Sequence, residues 1–134
     1  MCKAKSIFEQ FRVHFLKYKQ KTLLFLLALS SGVIASLTLI NPSFGLLIWG
    51  AFAPLIYALE RTSLKQSYFL GLLTGFSVYA ISNFWVVHSG EIFLSLSFNS
   101  SFVVSLLYWL YCGNFIAIAC VFAIWVAIKI RISI

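Results

Sequence analysis

The chain has 134 residues, 62% of them hydrophobic and 10% charged, with a formal net charge of +7. A soluble domain carries roughly 25% charged residues, and one this small has too little interior to hide so much apolar surface. These values exclude an ordinary soluble domain and point to one all-α integral membrane unit.

The first stretch, residues 1–21, is basic: Lys3, Lys5, Arg12, Lys17, Lys19 and Lys21 stand against Glu9 alone. Ile7, Phe8, Phe11, Phe15 and Tyr18 recur at helical spacing, which suits an amphipathic leader lying among lipid headgroups. A basic leader that only anchors the next segment fits the same residues. Residues 22–40 then form an apolar run long enough to span a membrane. A cleaved signal peptide is disfavoured by the long leader and by the lack of a clear small-x-small cleavage site. Ala28, Gly32 and Ser36 are four apart on one face, where small residues let helices approach closely in lipid.

Asn41-Pro42-Ser43 is expected to turn the chain, with Pro42 at a position that needs no N–H. Residues 44–59 follow as a short second span, ~24 Å as a helix against a hydrocarbon core of about 30 Å. Pro54 lies inside it and is expected to kink it, with a neighbouring helix satisfying the freed backbone. A polar loop with Arg61 and Lys65 comes next. Residues 68–87 read as a full third span with a G-x-x-x-G pair, Gly71 and Gly75, continued by Ser82 as a packing face. His88 to Ser101 carries Glu91 and no Lys or Arg. Within it, Ile92 to Phe98 alternates weakly and fits an interfacial segment or a short extended piece. Residues 102–128 form a last, long span that must tilt or emerge, and 129–134 a basic tail with Lys129 and Arg131.

The expected architecture is thus a bundle of about four transmembrane helices, residues 22–128, behind a basic leader. With the N-terminus inside, all ten basic residues fall on the cytoplasmic side. That is the positive-inside pattern, and it requires the short second span to be a real one. The basic residues cluster at span ends and not on a polar face, so nucleic acid is not an expected partner.

Chemistry-bearing residues are few. The acids are Glu9, Glu60 and Glu91, the histidines His14 and His88, and there is no aspartate. His88 and Glu91 share a face if helical, but two ligands do not make a metal site. No serine has a His and Asp to activate it, and no phosphate loop is present. Cys2, Cys112 and Cys120 form no disulfide framework, and the latter two sit in an apolar run as small hydrophobes. Asn114, deep in the last run, is expected to bond another helix. No cofactor, metal or catalytic residue is assigned. Phe44, Trp85 and His88 are candidates for contact with lipid at the outer headgroup level, where aromatic belts also form without a specific role.

One ordered pattern resembles a known family. A small-residue helix leads to Pro42, Phe44 and Gly45. Pro54 follows in a short helix, then Gly71, Gly75 and Phe76, then Trp85 and Ser89. The set is similar to the N-terminal membrane region of apolipoprotein N-acyltransferase, over roughly Leu23 to Ile128. The resemblance implies a place in bacterial lipoprotein maturation at the inner membrane. That family moves an acyl chain from a membrane phospholipid to the N-terminal amine of a diacylglyceryl-cysteine lipoprotein. Its chemistry resides in a nitrilase-like domain, with a Glu base, a stabilising Lys and a Cys that carries the acyl group.

No residue here matches that machinery, so the resemblance implies a truncated or split enzyme that acts with a missing or separate catalytic part. Membrane phospholipid, and a lipoprotein through that part, are the implied partners. Unpaired small-residue faces also suggest a homo-oligomer or a partner membrane protein. Two other readings stay open: a non-enzymatic membrane scaffold or partner subunit, and a small four-helix transporter. The transporter reading suffers because Leu23 to Ile40 lacks the carboxylate that proton-coupled exporters of this size carry in their first helix.

Overall fold

A computed structural model of the chain describes residues 2–132, with side chains described for residues 19–130. Six α-helices and one 3-10 segment follow one another, with no strand among the described residues. Helix α1 (Cys2–Ile40) runs without a break. The leader and the first span are therefore one helix. The leader's apolar stripe, residues 7–18, lies outside the described side chains.

The chain turns at Asn41. Its Oδ1 accepts from the Ser43 N–H at 3.0 Å, and Pro42 opens a 3-10 segment, Pro42–Leu47. Helix α2 (Ile48–Ala51) and helix α3 (Ala53–Leu59) follow, divided at Phe52. Pro54 stands in the first turn of α3, and the expected kink takes the form of a one-residue break at Phe52, two residues before the proline. The missing N–H and the proline ring prevent the ladder from continuing through it. A hydroxyl from α1 covers the break: Ser31 Oγ donates to the Ala51 carbonyl at 2.7 Å.

Helix α4 (Leu64–Ser82) starts from a capping box, in which Ser63 and Gln66 satisfy each other's backbone N–H groups. The expected third span, 68–87, differs from what is observed. The helix stops at Asn83–Phe84 and resumes as α5 (Trp85–Leu94) after a bend of 60°. Side chains of the following helix hold the interruption. Trp109 Nε1 donates to the Asn83 carbonyl at 3.4 Å, and Ser101 Oγ donates to the Val87 carbonyl. Backbone interrupted at membrane depth is tolerated where protein groups satisfy it in this way. Ile92 to Leu94 close α5. Ser95 adopts a left-handed conformation (φ 50°), with Leu96 N–H bonded back to Gly90 O at 3.3 Å. Helix α6 (Phe98–Ile132) then runs for 35 residues. At ~52 Å it exceeds a hydrocarbon core of about 30 Å, so it tilts or projects.

Three segments are long and apolar enough to cross a membrane: Lys19–Ile40, Pro42–Leu59 and Phe98–Ile130. The bent pair α4 and α5 makes a fourth if counted as one span. The all-α membrane architecture is therefore as the sequence suggests.

Helix α4 is central. It packs on α1 with parallel chain direction, since Thr74 meets Ala28 and Val78 meets Ala35. It packs on α6 antiparallel, since Gly71 meets Ala117 and Gly75 meets Gly113. The interrupted segment lies along α1, joined by a cluster of Ala28, Leu55, Leu59 and Cys120 and another of Ala35, Ala51 and Val78. These alternating directions put Lys19, Lys21, Arg61, Lys65 and Lys129 at one end of the bundle and Asn41 and Asn83 at the other.

Candidate functional site

The end of the bundle that holds Asn41 and Asn83 also holds the expected lipid-contact residues. Phe44 projects from the 3-10 segment and Trp85 from the first turn of α5, both exposed. His88 lies one turn further along α5, where its Nδ1 pairs with Glu91 Oε2 at 3.2 Å. The pair is exposed on the histidine side. No group of three His, Cys, Asp or Glu that could hold a metal occurs among the described residues. No ring contact joins Phe44 to Trp85, so the structure sets these residues at one end without gathering them into a pocket.

The sequence reading missed what lies behind them. Trp109 on α6 is only 3% exposed and forms the centre of an aromatic cluster. Phe84 stacks on it with centroids 6.2 Å apart. Phe76 and Phe102 meet it edge-on at 6.3 and 6.1 Å. Aromatic pairs at these separations favour stacked or T-shaped geometry. The cluster, with the Trp109 bond to Asn83 O, locks the bend that aims α5 and so places Trp85 and His88. Along α6 the buried residues are Ser101, Ser105, Trp109, Gly113, Ala117 and Cys120. Their near-regular spacing of four is a signal the sequence did contain.

Below this end the helices meet through small residues. A Cβ on Gly75 would lie 2.7 Å from Gly113 Cα and O, and one on Gly71 would lie 2.8 Å from Ala117 Cα. The G-x-x-x-G of α4 therefore meets a G-x-x-x-A on α6. Gly32 of α1 faces α4, where a Cβ would lie 2.7 Å from Ser77 Cβ and 2.8 Å from Thr74 O. Ala28 and Ser36 are fully buried on the same helix, although Ser36 Oγ bonds within α1, to Val33 O at 2.7 Å. Ser82 likewise bonds within its own helix, to Val78 O at 2.7 Å. Asn114 accepts an interhelical bond from the Tyr68 hydroxyl of α4 and donates within α6 to Leu110 O at 3.1 Å. No buried polar side-chain atom among the described residues lacks a partner.

Residues 31–133 match the model of the apolipoprotein N-acyltransferase N-terminal domain. The chain belongs to that family. The matched region includes the Asn41 turn, both interruptions, the whole α4–α6 contact and the Trp109 cluster. Apolipoprotein N-acyltransferase of Geobacter metallireducens is 37% identical over 62 residues, which cover 46% of this chain and 12% of that protein. The aligned part is thus a small fraction of that relative's length. No solved structure matches the chain.

Proposed function

We propose that the chain forms the membrane-embedded N-terminal part of an apolipoprotein N-acyltransferase. Such enzymes carry an acyl group from phospholipid to the N-terminal amine of a diacylglyceryl-cysteine lipoprotein. The family match over residues 31–133 carries this reading. The helices serve as scaffold. The interrupted end, with Phe44, Trp85 and His88, offers amphipathic rings at the headgroup level, where lipid enters from the side. The basic end faces the cytoplasm of a bacterium, both chain ends lie there, and the interrupted end faces outward across the inner membrane.

These residues do not themselves perform the transfer. A thioester route needs a cysteine activated by a base or a nearby cation. Cys120 is buried against Gly71 in the membrane, and neither it nor Cys112 has a basic partner among the described residues. The nucleophile comes from a catalytic part that works with this one, whether on the same polypeptide or on a partner.

A chimera tests this. Residues 22–128 would replace the corresponding helices of the G. metallireducens enzyme in cells depleted of their own N-acyltransferase. Mass spectrometry of a lipoprotein's N-terminal peptide should show the third acyl chain. A chimera that inserts and melts like its parent but leaves the lipoprotein diacylated would overturn the proposal.

A further inference from the structure

We propose that helix α5 does not complete a span but lies along the membrane surface, with its apolar arc among the acyl chains and its His88–Glu91 edge in water. Its partner is the lipid boundary at the end of the bundle that holds Asn41 and Asn83. Helix α5 lies so whether or not the chain serves an acyltransferase.

Lengths set the level of α5. The opposite end of the bundle carries Lys19, Lys21, Arg61 and Lys65, which mark the water boundary there. Helix α4 starts among them at Leu64 and runs for 19 residues. At ~28 Å it already crosses a hydrocarbon core of about 30 Å. Its Ser67, Thr74 and Ser77 are buried against protein, so they do not meet lipid on the way. The break at Asn83–Phe84 therefore falls at the far edge of the core. Beyond it, the 10 residues of α5 are turned by 60°. They advance only ~7 Å along the α4 axis, whereas an unbent continuation would advance ~15 Å. The polar layer of one leaflet is roughly 5 to 7 Å deep, which matches that advance.

The sides of α5 differ in polarity. Glu91 and His88 are neighbours on one edge and pair at 3.2 Å. Val87, the one buried residue of the helix, and Gly90 face Ser101 of α6. Most of the remaining circumference is apolar: Trp85, Ile92 and Phe93 are 63%, 61% and 80% exposed. Ser89 shares that arc, and its hydroxyl is bonded to the Trp85 carbonyl at 3.2 Å. One polar edge beside a wide apolar arc is the pattern of a helix lying in an interface. Within the core, the histidine–glutamate edge would be costly. No Lys or Arg occurs in α5 or in the loop that follows it, so apolar burial, and not attraction to acidic headgroups, holds it there. Helix α1 reaches this end only with Ile40, so its residues 2–18 lie at the other end and cover none of α5.

The test uses the full chain in vesicles of phosphatidylcholine and phosphatidylglycerol, with Cys2, Cys112 and Cys120 replaced by alanine. Trp85→Cys, His88→Cys, Glu91→Cys, Ile92→Cys and Phe93→Cys, made one at a time, each receive a nitroxide. Collisions with oxygen, which dissolves in lipid, and with a water-soluble nickel chelate report the depth of each label. The oxygen-to-nickel ratio should be higher at 85, 92 and 93 than at 88 and 91, so that preference alternates around the helix. A helix leaving the membrane would instead grow steadily wetter from 85 to 93. A protein partner seated on α5 would shield 85, 92 and 93 from both reagents. Either result would overturn the proposal. Ile92→Ser and Phe93→Ser together should weaken the hold of the arc and raise nickel access at 85, with the melting temperature unchanged. Unaltered access at 85 would also overturn it.

Discussion

On one side of α4, Gly71 and Gly75 bring backbone against backbone at Ala117 and Gly113 of α6. On the other side, Thr74 Oγ1 reaches across to the Ala28 carbonyl of α1 at 2.9 Å, while Ser77 packs over Gly32. The first face is built from missing side chains and the second from short polar ones. Lipid tails are as apolar as Leu, so burial alone cannot draw membrane helices together. Close van der Waals packing supplies the force at the glycine face. A hydroxyl-to-carbonyl bond assists at the other. The difference lies in what can be changed: a glycine contact tolerates no added atom, whereas a hydroxyl can be lost with its neighbours in place.

Substitutions at the two faces should therefore differ in size. Gly75→Leu drives a side chain into the backbone of Gly113, which cannot yield. It should cost about 3 kcal/mol, read as a fall in the cooperative melt in detergent, and should separate α6 from α4 in cross-linking. Thr74→Val keeps the shape and removes the bond to Ala28 O. Its cost should be about 0.6 to 1.5 kcal/mol in the same melt, in line with interhelical polar contacts in lipid. Ser82→Ala removes a hydroxyl that bonds only its own helix, and should change the melt by less than about 0.5 kcal/mol. If Thr74→Val proved as damaging as Gly75→Leu, the distinction between the two faces would collapse.

Much of this was legible in the residues. Pro54 announces an interruption because its ring and missing N–H act locally, whatever surrounds them. Gly71 and Gly75 announce a close approach because only small residues allow one. The positions of Phe44, Trp85 and His88 at one end follow from counting spans. The break at Asn83–Phe84 was not legible. Nothing between Tyr68 and Val87 forbids a continuous helix, and the groups that stabilise the break, Trp109 and Ser101, come from α6. Such an interruption is a tertiary choice. The partner of the glycine face was hidden for a related reason. Gly113 and Ala117 sit in a run so uniformly apolar that no face stands out, and only the repeat of four from Ser101 to Ala117 marks the seam. Asn114 was readable as an interhelical bonder, although its partner, Tyr68, was not.

The burial of Trp109 has an optical consequence. The chain has four tryptophans, and the other three, Trp49, Trp85 and Trp125, lie exposed on the bundle's outer surface. A quencher dissolved in the lipid reaches those three and is screened from Trp109 by Phe76, Phe84 and Phe102. The light that survives such quenching comes from the indole that pins the bend. The molecule thus carries an internal lamp at the one joint whose integrity decides where α5 points.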